Sequence, residues 1–408
     1  MDIKPIEGGV CAPQGFSAGA VHCGLAKRPD KKDLALIYSE VPCAAAASYT
    51  VNKAKAAPVT LTKTHLEDDR AQAIICNSGN ANACNIDGEQ TAMRMCLAAG
   101  ELLGVSAQDV IVASTGVIGQ PLKVSLIEAA MPELGKAMNS EASGSKAASA
   151  AIMTTDLREK EIAVSFELSG KICALGGIAK GSGMIHPNMA TMLAFLTTDA
   201  AISAPMLKAA LGKVVPNTFN MISVDGDTST NDMCAILANG LAGNVEIAAP
   251  GKDYDAFVKA LTRVCVYLAK IIARDGEGAT HLLECAVTGA PDDAAARLLA
   301  KSVICSNLVK CAMFGGDANW GRVICALGYS GAEFEIAKVK ISLASEGGRV
   351  TVCENGGGVA FSEELAAKVI AAEIIEIQVE LAQGEGSAVA WGCDLSYDYV
   401  KINGDYRS

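Results

Sequence analysis

Residues 180–195, KGSGMIHPNMATMLAF, carry the most suggestive chemistry in the chain. Two glycines and a proline puncture a strand-rich region, and an apolar run then starts abruptly at Ala190-Thr191. One reading is an ordinary turn into a buried strand with a β-branched threonine. The other is a self-cleavage site. A strained loop ahead of a strand can push a threonine hydroxyl onto the preceding carbonyl, and the ester made by that N-to-O acyl shift then hydrolyses. The freed threonine would hold an α-amine, of pKa about 8, beside its own hydroxyl. That amine can act as the base for the hydroxyl without help from His or Asp. Pattern alone leaves both readings open.

Other catalytic signatures do not appear. His22, His65, His186 and His281 fall in no metal-binding spacing, and no G-x-S-x-G turn marks a serine nucleophile. A Ser-His-Asp triad stays open, because its members need not be sequence neighbours. Gly181-Ser182-Gly183 follows a strand but runs into Met-Ile-His-Pro, so it is a weak phosphate loop, and Pro187 removes an amide donor. The 15 cysteines, from Cys11 to Cys393, show neither C-x-x-C nor zinc spacing. They read as small buried hydrophobes in a reducing compartment.

The surrounding pattern predicts the elements that must position this chemistry. Residues 33–41 and 71–76 read as strands and 89–103 as a helix. Residues 109–113 read as a buried strand ending at Ser114-Thr115-Gly116, and 161–168 with 171–178 as a hairpin. The run 190–198 reads as another strand. Later come helices at 205–215, 253–274 and 293–313, then strands over 373–402 broken at Gly384-Glu385-Gly386. Residues 139–150, rich in Ser and Ala, read as an exposed loop. Strands and helices mix in both halves, so the fold class is α/β or α+β, in several layers.

Composition narrows the function further. The 408 residues are 50% hydrophobic and 19% charged, which excludes a disordered chain. Aromatics are only 4%, so the core is built of small side chains that allow close layers. A net charge of −11 with no basic cluster argues against nucleic acid or an anionic membrane as partner. No signal peptide and no uncharged apolar run of about 18 residues is visible, so a soluble, cytoplasmic protein is expected.

Several motifs, in order along nearly the whole chain, give a specific resemblance. They are GGVCAPQGFSAGAVHCGL (8–25), CNSGNANAC (76–84), ASTGVIGQPL (113–122), IMTTD (152–156), KGSGMIHPNMATMLAF (180–195) and SVDGDTSTND (223–232). ARDGEGATHL (273–282), DANWGRV (317–323) and CDLSYDYVKINGDYRS (393–408) complete the set. The sequence resembles the ornithine acetyltransferase family, the glutamate N-acetyltransferases of arginine biosynthesis, bifunctional in many members. Gly404, where Ala is usual, and Ser408, where Thr is also common, are mild departures.

The resemblance implies a layered, N-terminal-nucleophile-like αββα architecture. It implies self-cleavage between Ala190 and Thr191 into an α chain of 1–190 and a β chain of 191–408, folded together. It implies a ping-pong reaction: Thr191 takes acetyl from N²-acetylornithine, ornithine leaves, and glutamate carries the acetyl away as N-acetylglutamate. No metal or organic cofactor is implied, and acetyl-CoA is left open as a second acetyl donor. Thr115 and Gly116 are implied as the oxyanion hole, for which a hydroxyl and a backbone amide at a strand end are suitable donors. Thr154, Lys180, Thr191, Glu277, Asn403 and Ser408 are implied as substrate contacts. Lys180 suits a substrate α-carboxylate, and Glu277 suits an ammonium group. The tail with Asn403 and Ser408 must then fold back over the site, and CDLSYDYVKI before it reads as strand-like. The expected assembly is a heterotetramer of two α and two β chains. The rival reading is a self-processed aminopeptidase or amidase that passes the acyl group to water. A non-catalytic phosphate binder using Gly181–Gly183 is a second.

Overall fold

The computed structural model describes residues 2–186 and 192–405. Two mixed sheets, layered with helices, form the α/β architecture expected from the sequence. The larger has nine strands among the described residues. Its order runs Lys4–Ile6, Lys160–Leu168, Lys171–Lys180, Leu193–Thr198, Met233–Ala238, Leu34–Tyr49, Arg70–Asn80 and Val110–Val117, with Phe16–Val21 also paired to Leu34–Tyr49. Leu193–Thr198 and Met233–Ala238 are buried at every residue, which suits central strands covered on both faces. The smaller sheet has seven strands, ordered Gly357–Gly358, Gly348–Glu354, Lys340–Ser345, Ile374–Glu380, Leu282–Ala290, Gly386–Cys393 and Ile222–Ser223.

The 23-residue helix Lys252–Arg274 joins the two sheets. Gly251 precedes it, Asp253 and Asp255 sit in its first turn and Arg274 in its last, matching the helix dipole at both ends. It buries Phe257, Leu261, Val264, Leu268 and Ile272 in a core shared with strands of both sheets. Phe257 meets Phe166 of the larger sheet with ring centroids 6.3 Å apart. The core is otherwise aliphatic and rich in alanine, as the low aromatic content requires. Most of the cysteines are buried in it, and burial pushes thiols such as Cys96 and Cys234 up to about 12. No described helix is long and apolar enough to cross a membrane.

Three sequence expectations need correction. Residues 139–150 are not a loop: Ala142–Ile152 is a helix whose Ala148, Ala151 and Ile152 are buried. Ser145 Oγ accepts from Val10 N at 3.0 Å and donates to Glu161 at 2.8 Å, so its serines serve tertiary contacts. The single helix expected over 293–313 is two, Asp293–Cys305 and Asn307–Phe314, because Ser306 stops the first and caps the second by accepting from Val309 N at 3.3 Å. Residues 397–405 are not a strand. Tyr397–Asp405 is a helix, and Ser396 Oγ at its head accepts from Asp398 N at 3.2 Å.

Candidate active site

The site is built where chain segments end beside the start of Leu193–Thr198. That strand pairs antiparallel with Lys171–Lys180, setting Lys180 opposite Leu193. On its other side it pairs parallel with Met233–Ala238, setting Met233 opposite Leu193. Met233 N donates to Met192 O at 2.9 Å, so Asp232 lies alongside Met192.

The first wall comes from the parallel pair Arg70–Asn80 and Val110–Val117, which sets Ser78 opposite Thr115 and Gly79 opposite Gly116. Gly116 has φ +130°, and a Cβ there would lie within 2.6 Å of Asn80 N. Only glycine fits this close approach, which leaves the backbone beside Thr115 uncovered. Asn231 fastens the two strand ends. Its Nδ2 donates to Ser114 O at 2.9 Å and Ala81 O at 2.5 Å.

The second wall rests on a buried charge network. Lys160, fully buried, contacts Asp156 at 2.7 Å and Asp275 at 2.6 Å. Asp156 also accepts from Thr154 N at 2.9 Å and Gly181 N at 2.7 Å, and Lys180 Nζ lies 3.9 Å away. Burial pushes the Asp156 carboxyl up, but Lys180, Lys160 and these hydrogen bonds outweigh it and hold it well below the usual carboxylate range. Thr154 and the loop at 181 are thereby tied to one acid.

The third wall is the turn after the long helix. Glu277 N donates to Ser182 O at 3.0 Å. A Cβ on Gly183 would overlap the Glu277 carboxyl group, so Gly183 is the room that Glu277 occupies. Asn403 Nδ2 donates to Glu277 Oε2 at 2.8 Å, and Ser396 Oγ donates to Gly278 O at 2.6 Å. The terminal helix is thus docked on the Asp275–Gly278 turn. Beside it, Met184 N and Ile185 N donate to Asp225, at 2.6 and 2.9 Å, and Thr228 Oγ1 donates to His186 O at 2.8 Å. Burial and nearby Lys301 push the His186 imidazole down to about 4, so it is neutral.

Thr115, Gly116, Thr154, Lys180, Glu277 and Asn403 all line one cavity of about 170 Å³. Met192 and Leu193 line it too. Ala190, Thr191 and Ser408 lie outside the described residues. The phosphate-loop reading of Gly181–Gly183 fails on charge, because Gly183 faces a carboxylate and Ser182 Oγ is spent on Asp275 O at 2.8 Å. Sequence reasoning missed Asp156, Asn231 and Asp232. Asp232 and Asn231 close the SVDGDTSTND motif just ahead of the wholly apolar strand MCAILA. A polar pair at the head of a buried strand was the available signal.

The ArgJ family profile matches residues 17–408. The arginine biosynthesis bifunctional protein ArgJ 1 of Clostridium acetobutylicum is 51% identical over 398 residues, 96% of each chain. The arginine biosynthesis bifunctional protein ArgJ of Symbiobacterium thermophilum is 51% identical over 405 residues, 99% of each. Among solved structures, the arginine biosynthesis bifunctional protein of Bacillus halodurans is 47% identical with a TM-score of 0.50; the match covers 53% of this chain and all of that one. With this identity over nearly its whole length, the chain belongs to the ArgJ family.

Proposed function

We propose that this protein is a glutamate N-acetyltransferase of arginine biosynthesis, working through an acetyl-Thr191 intermediate. Cleavage between Ala190 and Thr191 frees the threonine α-amine, which takes the proton of its own hydroxyl. The hydroxyl oxygen then attacks the acetyl carbonyl of N²-acetylornithine. Thr115 Oγ and the Gly116 amide donate to the oxyanion, a contribution of about 2.7–4 kcal/mol per donor in comparable sites. Ornithine leaves, and glutamate attacks the ester to form N-acetylglutamate. Lys180 holds the α-carboxylate common to both substrates. Thr154, Glu277, Asn403 and Ser408 complete the contacts. The chemistry needs no metal and no organic cofactor. Acetyl-CoA is a candidate second donor, consistent with relatives named bifunctional. The setting is the cytoplasm, and the assembly two α and two β chains.

One observation carries this reading: six residues implied by the family pattern, from five distant motifs, line the same small cavity. A further support is length. The Bacillus halodurans chain matches over all its length yet covers 53% of this one, about the share that residues 191–408 make up.

The deciding experiment is a denaturing gel of the purified protein with N-terminal sequencing. Two chains, the second beginning at Thr191, are expected, and Thr191→Ala should stay whole and inactive. A fully active, uncleaved Thr191→Ala protein ends the proposal. To separate transferase from amidase, ornithine release from acetylornithine is followed with and without glutamate. Release at the same rate in both would assign the acyl group to water.

A further inference from the structure

One cavity-lining group has no part in the cycle above. Asp232 is 3% exposed, and its Oδ2 has no hydrogen-bond partner among the described residues. A buried carboxyl oxygen left unpaired is unfavourable by the full desolvation of that atom, so it calls for an explanation, and a partner that fills it only during the reaction is one. Across the start of Leu193–Thr198 stands Lys180, also lining the cavity. An α-amino acid carries a carboxylate and an ammonium on one carbon. A lysine and an aspartate flanking one strand end match that pair of charges.

We propose that Asp232 is a catalytic residue that carries a proton between the two half-reactions: its carboxyl group protonates the α-nitrogen of departing ornithine and later takes a proton from the α-ammonium of arriving glutamate. The proposal rests on the acetyl-Thr191 cycle. In acetylation, the Thr191 Oγ bonds to the acetyl carbon and the amide C–N bond breaks. The leaving nitrogen keeps its one hydrogen, receives the Thr191 hydroxyl proton through the α-amine, and receives a second from Asp232. Ornithine departs as an ammonium and Asp232 is left a carboxylate. In deacetylation the steps reverse. The ammonium of glutamate gives one proton to Asp232, its nitrogen attacks the ester carbon, and the C–Oγ bond breaks. A second proton returns to Thr191 Oγ, and the amide keeps the third. Asp232 ends protonated, as it began.

The surroundings fit a carboxyl group that rests protonated. Burial pushes Asp232 well above the ordinary carboxylate range, against the opposing pull of Ser229 hydrogen bonds and of Lys180. Lys180 faces the cavity from the neighbouring strand with Asp156 behind it at 3.9 Å, and Glu277 faces it from the turn after the long helix. Glu277 is engaged by Asn403, and Asp156 by Lys160, which leaves Asp232 as the carboxyl group with an unpaired oxygen among the described residues of this wall.

The test uses Asp232→Asn, which keeps the shape and cannot carry the proton. The acetyl-enzyme is accumulated with acetyl-labelled acetylornithine, desalted, and chased with either glutamate or hydroxylamine. Hydroxylamine is largely uncharged at neutral pH and needs no deprotonation. We expect glutamate-driven deacetylation to fall roughly 100-fold or more, the ordinary worth of a general base, while hydroxylamine-driven deacetylation stays within about threefold of the parent. Equal losses with both nucleophiles, or no loss with glutamate, overturn the proposal. Should the Asn protein not fold, the same comparison is made on Asp232→Glu, where a selective slowing of the glutamate step supports it and an unselective one overturns it. The gel for cleavage, run on the same samples, keeps the two ideas apart: a parent that is not cut before Thr191 removes the cycle itself.

Discussion

Asn403 and Glu277, 126 positions apart in the chain, are joined by a 2.8 Å hydrogen bond from Nδ2 to Oε2. The terminal helix therefore touches a candidate substrate-binding group directly, and in the proposed cycle it would temper a charge that meets two different substrates. Acetylornithine ends in an ammonium and glutamate in a carboxylate. A naked buried carboxylate would reject the second, whereas one engaged by an amide is less severe toward it.

The first prediction concerns that pair. Glu277→Gln is expected to raise the KM for acetylornithine more than that for glutamate, by roughly tenfold, in separate half-reaction assays. Asn403→Ala removes one hydrogen bond to a charged group, worth about 1.5–3 kcal/mol, and should affect both halves without stopping self-cleavage. An equal effect of Glu277→Gln on both substrates would move Glu277 to a purely architectural role.

The oxyanion wall gives the second. Thr115→Ala should lower kcat by roughly 10²–10³ with little change in KM. Gly116→Ala should instead destabilise the fold, because its φ of +130° and the 2.6 Å approach to Asn80 N admit no Cβ. A thermal melt separates the two outcomes.

A third follows from the depressed Asp156 carboxyl. Its folded value lies below its unfolded value of about 3.9. Such a group contributes stability in full above the unfolded value and loses it as pH falls toward the folded one. The stability gap between the parent and Asp156→Asn, from urea melts, should be large at neutral pH and shrink below about pH 4. A gap that grows with acid would contradict the assignment.

Asp232 predicts the opposite sign. Its folded value is raised above its unfolded one, so its contribution is most favourable below about pH 4 and becomes a penalty as pH rises. Asp232→Asn should therefore melt higher than the parent at pH 7, with the difference closing in acid. Stability gained together with transfer lost would mark a group kept for chemistry.

The candidate site residues were legible only through the family resemblance, because each stands in one of its motifs; taken locally, a strand end with Gly116, a turn with Glu277 and a lysine closing a strand are ordinary features. What escaped was set by distant contacts. The helix Ala142–Ile152 looks loop-like in composition, yet Gly144 is chosen for closeness to the Ala18 and Asn139 backbone and Ser145 for Val10 and Glu161. Tyr397–Asp405 buries no residue of its own, so no apolar period announced it. Asp232 reads as one more acid in a polar motif until the parallel register sets it beside Met192.

The order of the nine-stranded sheet bears on how such a molecule can be made. Leu193–Thr198 and Met233–Ala238 are hemmed between Lys171–Lys180 on one side and Leu34–Tyr49 on the other. A cut before residue 191 would fall where the strands on either side already share hydrogen bonds, not at a seam between separate bodies. Two polypeptides synthesised apart would each present a sheet with missing neighbours and bare edges, a state prone to aggregate. On the proposed cleavage, continuity of the backbone would be required while the molecule is made and could be dispensed with once it has folded. Genes splitting the chain at this bond should yield insoluble halves, though the same halves, once cut in place, would part only on denaturation.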